Sequence, residues 1–235
     1  MKSASIALVL AFGIVCSACL ELTQEIWVND DGSGRVTYDI AVPEGMLAMA
    51  TADSEDDPLA EVRARWAELA EHPESVENLR SFSADEYVEE DFHHFVMDIE
   101  VDDVTLLPQT MDEVEELIAA EDEEGTEDAD ALAQPADMRF ERLADDRLLF
   151  VQSLRIDEPD STASVDPEME EASRAFLASM FAGKYYIVRL HAPAVISTNG
   201  TLDDETGSLE WKIPMADFYG DEVPDELRAE LQVGG

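Results

Sequence analysis

From Leu20 to Val42 the chain alternates apolar and polar residues on either side of a glycine-rich turn, and this constrains the fold more than any other feature. Leu20, Leu22, Ile26 and Val28 alternate with Glu21, Thr23 and Glu25, with Trp27 as the exception; Val36, Tyr38, Ile40 and Val42 alternate with Arg35, Thr37, Asp39 and Ala41. Successive strand side chains point to opposite faces, so each run buries one face and wets the other. The turn at Asp30 to Gly34 joins them as a β-hairpin, and Pro43, which has no amide hydrogen for a ladder, closes the second run.

From Asp57 the period changes to that of a helix. Asp57 is an N-cap candidate, Pro58 suits the first turn, and Leu59, Val62, Trp66 and Leu69 recur at threes and fours, with Trp66 facing the core. Phe95, Met97, Ile99 and Val101 read as a strand, and Thr110 with Glu113 as a capping box before Val114, Leu117 and Ile118. The acidic stretch 121–135 reads as a flexible loop within one domain. Met138 to Leu143 and Leu148, Phe150, Leu154 and Ile156 form a second hairpin turning at Ala144-Asp145-Asp146. Asp166 and Pro167 open a third helix with an apolar face of Met169, Ala172, Phe176, Leu177, Met180 and Phe181, which Gly183 ends. Tyr185 to His191 and Leu209, Trp211 and Ile213 are strands, separated by the Asn199-Gly200 turn and the acidic turn at Gly207, and the tail from about residue 220 reads as loosely ordered. Hairpins interrupted by helices predict an α+β domain: an antiparallel sheet of about six to eight strands with about three helices packed mainly on one face.

The first residues read differently. Lys2 is the only charge before an apolar stretch from Ile6 to Val15 and then Cys16-Ser17-Ala18-Cys19. That is the layout of a signal peptide over 1–18, leaving 19–235 as a single extracytoplasmic domain. The apolar stretch is far shorter than the roughly 20 residues a membrane-crossing helix needs. The cleavage region resembles a bacterial lipobox, in which a cysteine preceded by small residues receives diacylglycerol and becomes the first residue of the mature chain. Ser17 and Ala18 fit, Cys19 takes the lipid, and Cys16 stands where Leu is usual. Two alternatives stay open at this point: plain secretion with cleavage after Ala18, and a Cys16–Cys19 disulfide in an uncleaved leader. With no later cysteine, the domain has no internal disulfide, so its stability comes from a core.

The chain carries 56 Asp and Glu against 14 Lys and Arg, a formal charge of −42. Such a field repels nucleic acid and anionic head groups. After Lys2 the only lysines are Lys184 and Lys212, and surplus carboxylates with depleted Lys fit a salty habitat, where screening removes self-repulsion. Calcium is the rival explanation, but neither Asp30-Asp31-Gly32-Ser33-Gly34 nor Asp203-Asp204-Glu205-Thr206-Gly207 has the ligand spacing of an EF-hand loop. Both read as turns.

Catalytic signatures are scarce. His93 and His94 are neighbours on a strand and point to opposite faces, so they cannot chelate one metal, and His94 shares its face with Asp98 and Glu100. His72 and His191 are isolated. No nucleophile elbow, phosphate loop or zinc-protease motif is present, so no metal, cofactor or catalytic residue is expected. Asn199-Gly200-Thr201 matches a glycosylation sequon and reads as a turn. The face of Met169, Phe176, Leu177, Met180 and Phe181 admits two readings, the wall of an apolar cavity for an acyl chain or plain packing on the sheet.

A lipobox cysteine running into a strand and the Asp31-Gly32-Ser33-Gly34 turn, then Tyr185-Tyr186-Ile187-Val188-Arg189-Leu190, Pro193, Ser197-Thr198-Asn199-Gly200 and a Trp211 strand, resembles the mycobacterial LppM-type envelope lipoproteins. The likeness is confined to the two ends of the chain, and the terminal membrane helix of some relatives is missing. It implies an envelope location and binding of an envelope lipid or lipoglycan, and it carries no catalytic residue. The expectation is a non-enzymatic lipoprotein held on a membrane through Cys19, with Leu20 compatible with transport to an outer membrane. It would bind an envelope lipid, a lipoglycan or a protein partner. An assembly factor that scaffolds a protein complex is the alternative, and an envelope hydrolase the third.

Overall fold

A computed structural model describes residues 21–51, 59–118, 138–144, 146–154, 178, 181–203, 205–219 and 223–234. Within them lie β1 (Glu21–Val28), β2 (Gly34–Pro43), α1 (Glu44–Thr51), α2 (Ala60–Glu71), β3 (Leu79–Glu89), β4 (Phe92–Val101) and α3 (Leu107–Ile118). There follow β5 (Met138–Ala144), β6 (Arg147–Ser153), β7 (Tyr185–His191), β8 (Ala194–Thr198), β9 (Thr201–Leu202), β10 (Leu209–Pro214) and β11 (Glu226–Gln232). The fold is α+β. Its strands divide into a seven-stranded sheet, β3-β4-β2-β1-β7-β10-β9, and a four-stranded sheet, β5-β6-β11-β8.

The opening hairpin is as the alternation requires. Glu21 pairs with Ala41 through to Val28 with Gly34, and Gly32 takes φ +84° in the turn, a conformation that favours glycine. Ile26 and Val36 face inward with no exposure, while Arg35 faces out. The same parity runs across the sheet through Ile99 of β4, Val188 and Leu190 of β7 and Leu209 of β10. From the second sheet Leu148, Phe150, Leu227, Ala229 and Leu231 meet them in one core. Full burial of a side chain of this size contributes about 2 kcal/mol. Both faces of β6 are covered, because Leu149 and Val151 are buried as well.

Several expectations are corrected. The strands make two sheets rather than one, and the larger is mixed: β1 runs parallel to β7, with Leu22 beside Tyr186 and Trp27 beside His191. Alternation reports which face is buried but not the direction of the partner, so parallel pairing could not be read from it. The capping box at Thr110 is not formed, because α3 begins a turn earlier at Leu107, with Pro108 in its first turn. Asp103 caps the preceding 3-10 turn by accepting from the Thr105 amide, and the Thr110 hydroxyl accepts from Asn78 Nδ2. The tail expected to be loose contains β11, whose Leu227, Ala229 and Leu231 are fully buried. Strand β3 was not expected, nor was α1. Of the helix expected from Asp57, the described part starts at Ala60 with Leu59 as an N-cap lacking a side-chain bond, and Asp57 lies outside the described residues. Segment 121–135 also lies outside them.

Candidate functional site

Among the described residues, two places bear on function: a buried polar cluster between the sheets, and the end of the large sheet where β1 begins. The cluster forms because Gln24 of β1 occupies an inward position between Leu22 and Ile26, and Gln152 of β6 an inward position after Phe150. Both glutamines have no exposure, and Tyr38 and Tyr186 beside them have 7% each. Gln24 Nε2 donates to the Tyr38 hydroxyl at 3.1 Å and to Met138 Sδ at 3.6 Å. Gln24 Oε1 accepts from the Tyr186 hydroxyl at 2.7 Å and from Gln152 Nε2 at 3.0 Å, and Gln152 Nε2 also donates to the Tyr186 hydroxyl at 2.9 Å.

These bonds leave Gln152 Oε1 buried with no partner. Unpaired buried polar atoms cost on the order of 1–3 kcal/mol. Burial pushes both tyrosine hydroxyls well above their ordinary range, so they stay neutral donors and acceptors rather than titrating groups. The cluster ties β1, β2, β5, β6 and β7 together. It lacks a nucleophile or a charged acid–base pair.

At the second place, the large sheet ends with His94 beside Ala41, Ala41 beside Glu21 and Tyr185 beside Pro214, and Phe92 beside Pro43 lies two residues farther out. β1 is the fourth of seven strands and enters the sheet here, paired on one side with β2 from Glu21 and on the other with β7 from Leu22. Cys19 lies two residues before Glu21 in the sequence and outside the described residues, as does the whole leader 1–18.

The histidine pair divides between faces as strand geometry demands. His93 Nε2 meets Glu86 at 2.9 Å, where Arg63 of α2 also donates to Glu86 at 2.6 Å, and these bonds, Arg63 first, hold the Glu86 carboxyl below its usual range. His94 Nδ1 meets Asp39 at 2.8 Å and its ring stacks on Tyr87 at 4.4 Å. His191 stacks on Trp27 at 4.9 Å. Arg189 bridges Glu25 and Glu210 on the open face, and pairs as exposed as these contribute about 1 kcal/mol or less.

Among the described residues no group of three or more His, Cys, Asp or Glu is placed to hold a metal. The Asp31 carboxylate accepts from the Ser33 hydroxyl and amide, and that of Asp203 from the Glu205 amide, so both acidic turns use a carboxylate to close themselves. Of the five residues proposed for an apolar cavity, Met169, Phe176, Leu177 and Met180 lie outside the described residues, and Phe181 is fully buried. Sequence reasoning missed Gln24 and Gln152. Their signal was a polar residue at a position whose parity marks it as buried.

No family model and no curated protein matches the chain. Among solved structures, the NMR structure of the folded domain of Mycobacterium tuberculosis LppM is similar to it with a TM-score of 0.47 and 14% sequence identity, covering 91% of this chain and 90% of that chain.

Proposed function

We propose that the protein is a membrane-anchored envelope lipoprotein with a non-enzymatic domain that binds an envelope lipid, a lipoglycan or a protein partner. The leader 1–18 and the Cys19 thiol are the sequence basis for export and anchoring. The observation that carries the reading is the position of β1. Cys19 lies two residues before the central strand of the large sheet, and two extended residues span at most about 7 Å. Lipid on that thiol would fix a rigid sheet to the bilayer surface rather than a domain on a long tether. Several acyl chains on one residue hold a protein where a single chain holds it only reversibly.

The test is metabolic labelling with an alkyne fatty acid, followed by mass analysis of the N-terminal peptide. The reading expects label on Cys19 and none in Cys19→Ala; a mature chain cut after Ala18 with an unmodified thiol contradicts it.

The assembly-factor reading draws on a different observation. β3 is an eleven-residue edge strand, and its Tyr87 and Val88 are 42% and 54% exposed. Among the described residues no strand pairs with the outer edge of β3, and an edge of that length can accept a strand from a partner. Under this reading, deleting 121–135 or breaking the β3 edge should abolish co-purification of the partner while leaving the fold intact.

A further inference from the structure

The end of the large sheet where β1 begins carries lysines, which are scarce in this chain. Lys184 and Lys212 are the only lysines that follow Lys2, and the fold brings both to this end. Lys184 directly precedes β7, and its ammonium lies 4.6 Å from the centre of the Phe92 ring at the start of β4. In the sheet β2 and β1 lie between those strands, so the pair arches across the entry of β1. Lys212 of β10 reaches back along the sheet and places its ammonium 4.2 Å from the centre of the Tyr185 ring, at the first residue of β7. The backbone fixes this arrangement, because the Met215 amide donates to the Lys184 carbonyl at 2.9 Å and joins the start of β7 to the end of β10.

We propose that this end is the face the domain presents to lipid, with Lys184 and Lys212 meeting head-group phosphates and Phe92 and Tyr185 lying at head-group level. The proposal rests on the Cys19 reading for the anchor and adds the orientation and the contact residues. Aromatic rings beside lysines suit a bilayer interface, since the rings prefer the boundary and the long lysine stems carry their charge to the phosphates. The chain length leaves little freedom, because Cys19 lies two residues upstream of the row that holds Tyr185. Glu44, Glu89, Glu90 and Asp91 sit at the same end, on the β3–β4 turn and the start of α1, and repel an anionic surface. Salt screens that repulsion over a few Å, whereas lysines touching phosphate are screened less. The opposite end, with the turns at Asp30 to Ser33 and Asp203 to Gly207, has no lysine, and its acidic side chains are accompanied by Arg80 and Arg142 near the first turn.

The two lysines are their own reporters. The chain is held on vesicles of phosphatidylcholine and phosphatidylglycerol through Cys19, natively lipidated or with the Cys19 thiol of the mature chain coupled to a maleimide phospholipid. It is treated with a water-soluble succinimidyl ester, and acylation of each lysine is followed by mass spectrometry against the same chain free in solution. A Glu205→Lys variant supplies a reporter at the opposite end. The proposal expects Lys184 and Lys212 to react about fivefold or more slowly on vesicles, and the Glu205→Lys reporter to keep its solution rate. Unchanged rates at Lys184 and Lys212, or equal slowing at the opposite end, would overturn it. Because the maleimide anchor does not depend on cellular acylation, failure of the Cys19 reading is seen separately, in the labelling experiment.

Discussion

Gln152 on β6 donates to the side-chain carbonyl of Gln24 on β1 at 3.0 Å, and through this bond the two sheets share a polar contact inside an apolar core. The two residues are not equivalent. Gln24 uses both ends of its amide, whereas Gln152 leaves its oxygen unpaired. Gln24→Ala would remove the acceptor of the Tyr186 hydroxyl and open a cavity, and should cost about 3 kcal/mol. Gln152→Leu leaves the Tyr186–Gln24 bond in place and deletes the unpaired oxygen, so it should change stability by about 1 kcal/mol or less. Urea midpoints measured on both variants decide the matter. A Gln152→Leu variant weaker than Gln24→Ala would mean the network is wrongly apportioned.

Asn199 does more than make a turn. Its side-chain oxygen accepts from Trp211 Nε1 at 2.9 Å and from the Arg228 amide at 2.8 Å, while Nδ2 donates to the Glu226 carbonyl at 2.8 Å. It thereby pins β11 of the small sheet to β10 of the large one. Asn199→Ala should cost about 2 kcal/mol by orphaning the indole of the buried Trp211. Gly200→Ala should also destabilise, because an added Cβ would sit 2.6 Å from that indole. Thermal melts of the two variants test this, and wild-type stability in both would show that the Asn199 bonds add nothing to the joining of the two sheets.

The hairpin, the β5–β6 turn, the placement of β7 and β10 and the splitting of His93 from His94 were legible because alternation encodes which face is buried. β3 was not legible. Its inward positions include Glu86, which Arg63 and His93 stabilise only once α2 and β4 are in place. β11 was visible in Leu227, Ala229 and Leu231, yet its Glu, Leu, Arg and Ala residues favour helix locally, and tertiary pairing with β6 and β8 overrides them. The Gln24–Gln152 pair, 128 residues apart, depends on how two sheets dock, and alternation within a strand says nothing about docking. Gathering of the two lysines at one end depends on the register of β7 with β10.

Stability should fall at both extremes of pH, for different reasons. The Glu86 carboxyl is held below its ordinary value of 4.5, first by Arg63. Its contribution is therefore present above about pH 4.5 and is lost as pH falls through the folded value. Glu86→Gln should weaken the fold at neutral pH and flatten the acid limb. Tyr38 and Tyr186 are raised by burial from an ordinary 10.0, so their contribution is complete below about pH 10 and is lost as pH rises. Absorbance titration at alkaline pH should show both tyrosines ionising only with unfolding. Free titration of all five tyrosines near pH 10 in the folded protein would contradict their burial.

The charge of −42 predicts a salt response. Raising ionic strength from 0.1 to 1 M shortens the screening length from about 10 to about 3 Å, which relieves repulsion between carboxylates without touching the core. The melting temperature should rise by about 2–4 °C with sodium chloride, roughly 1 kcal/mol of added stability for a domain of this size. A flat or falling curve would remove the reading of the acidity as an adaptation to salt.

The central claim is that lipid on Cys19 holds the domain on a membrane. Its most direct measurement is the partition of the wild-type chain and of Cys19→Ala between membrane and soluble fractions after cell lysis, washed in high salt to remove loose association. The account predicts wild type in the membrane fraction and Cys19→Ala released as a folded soluble protein. Cys19→Ala retained on the membrane to the same extent as wild type would contradict it.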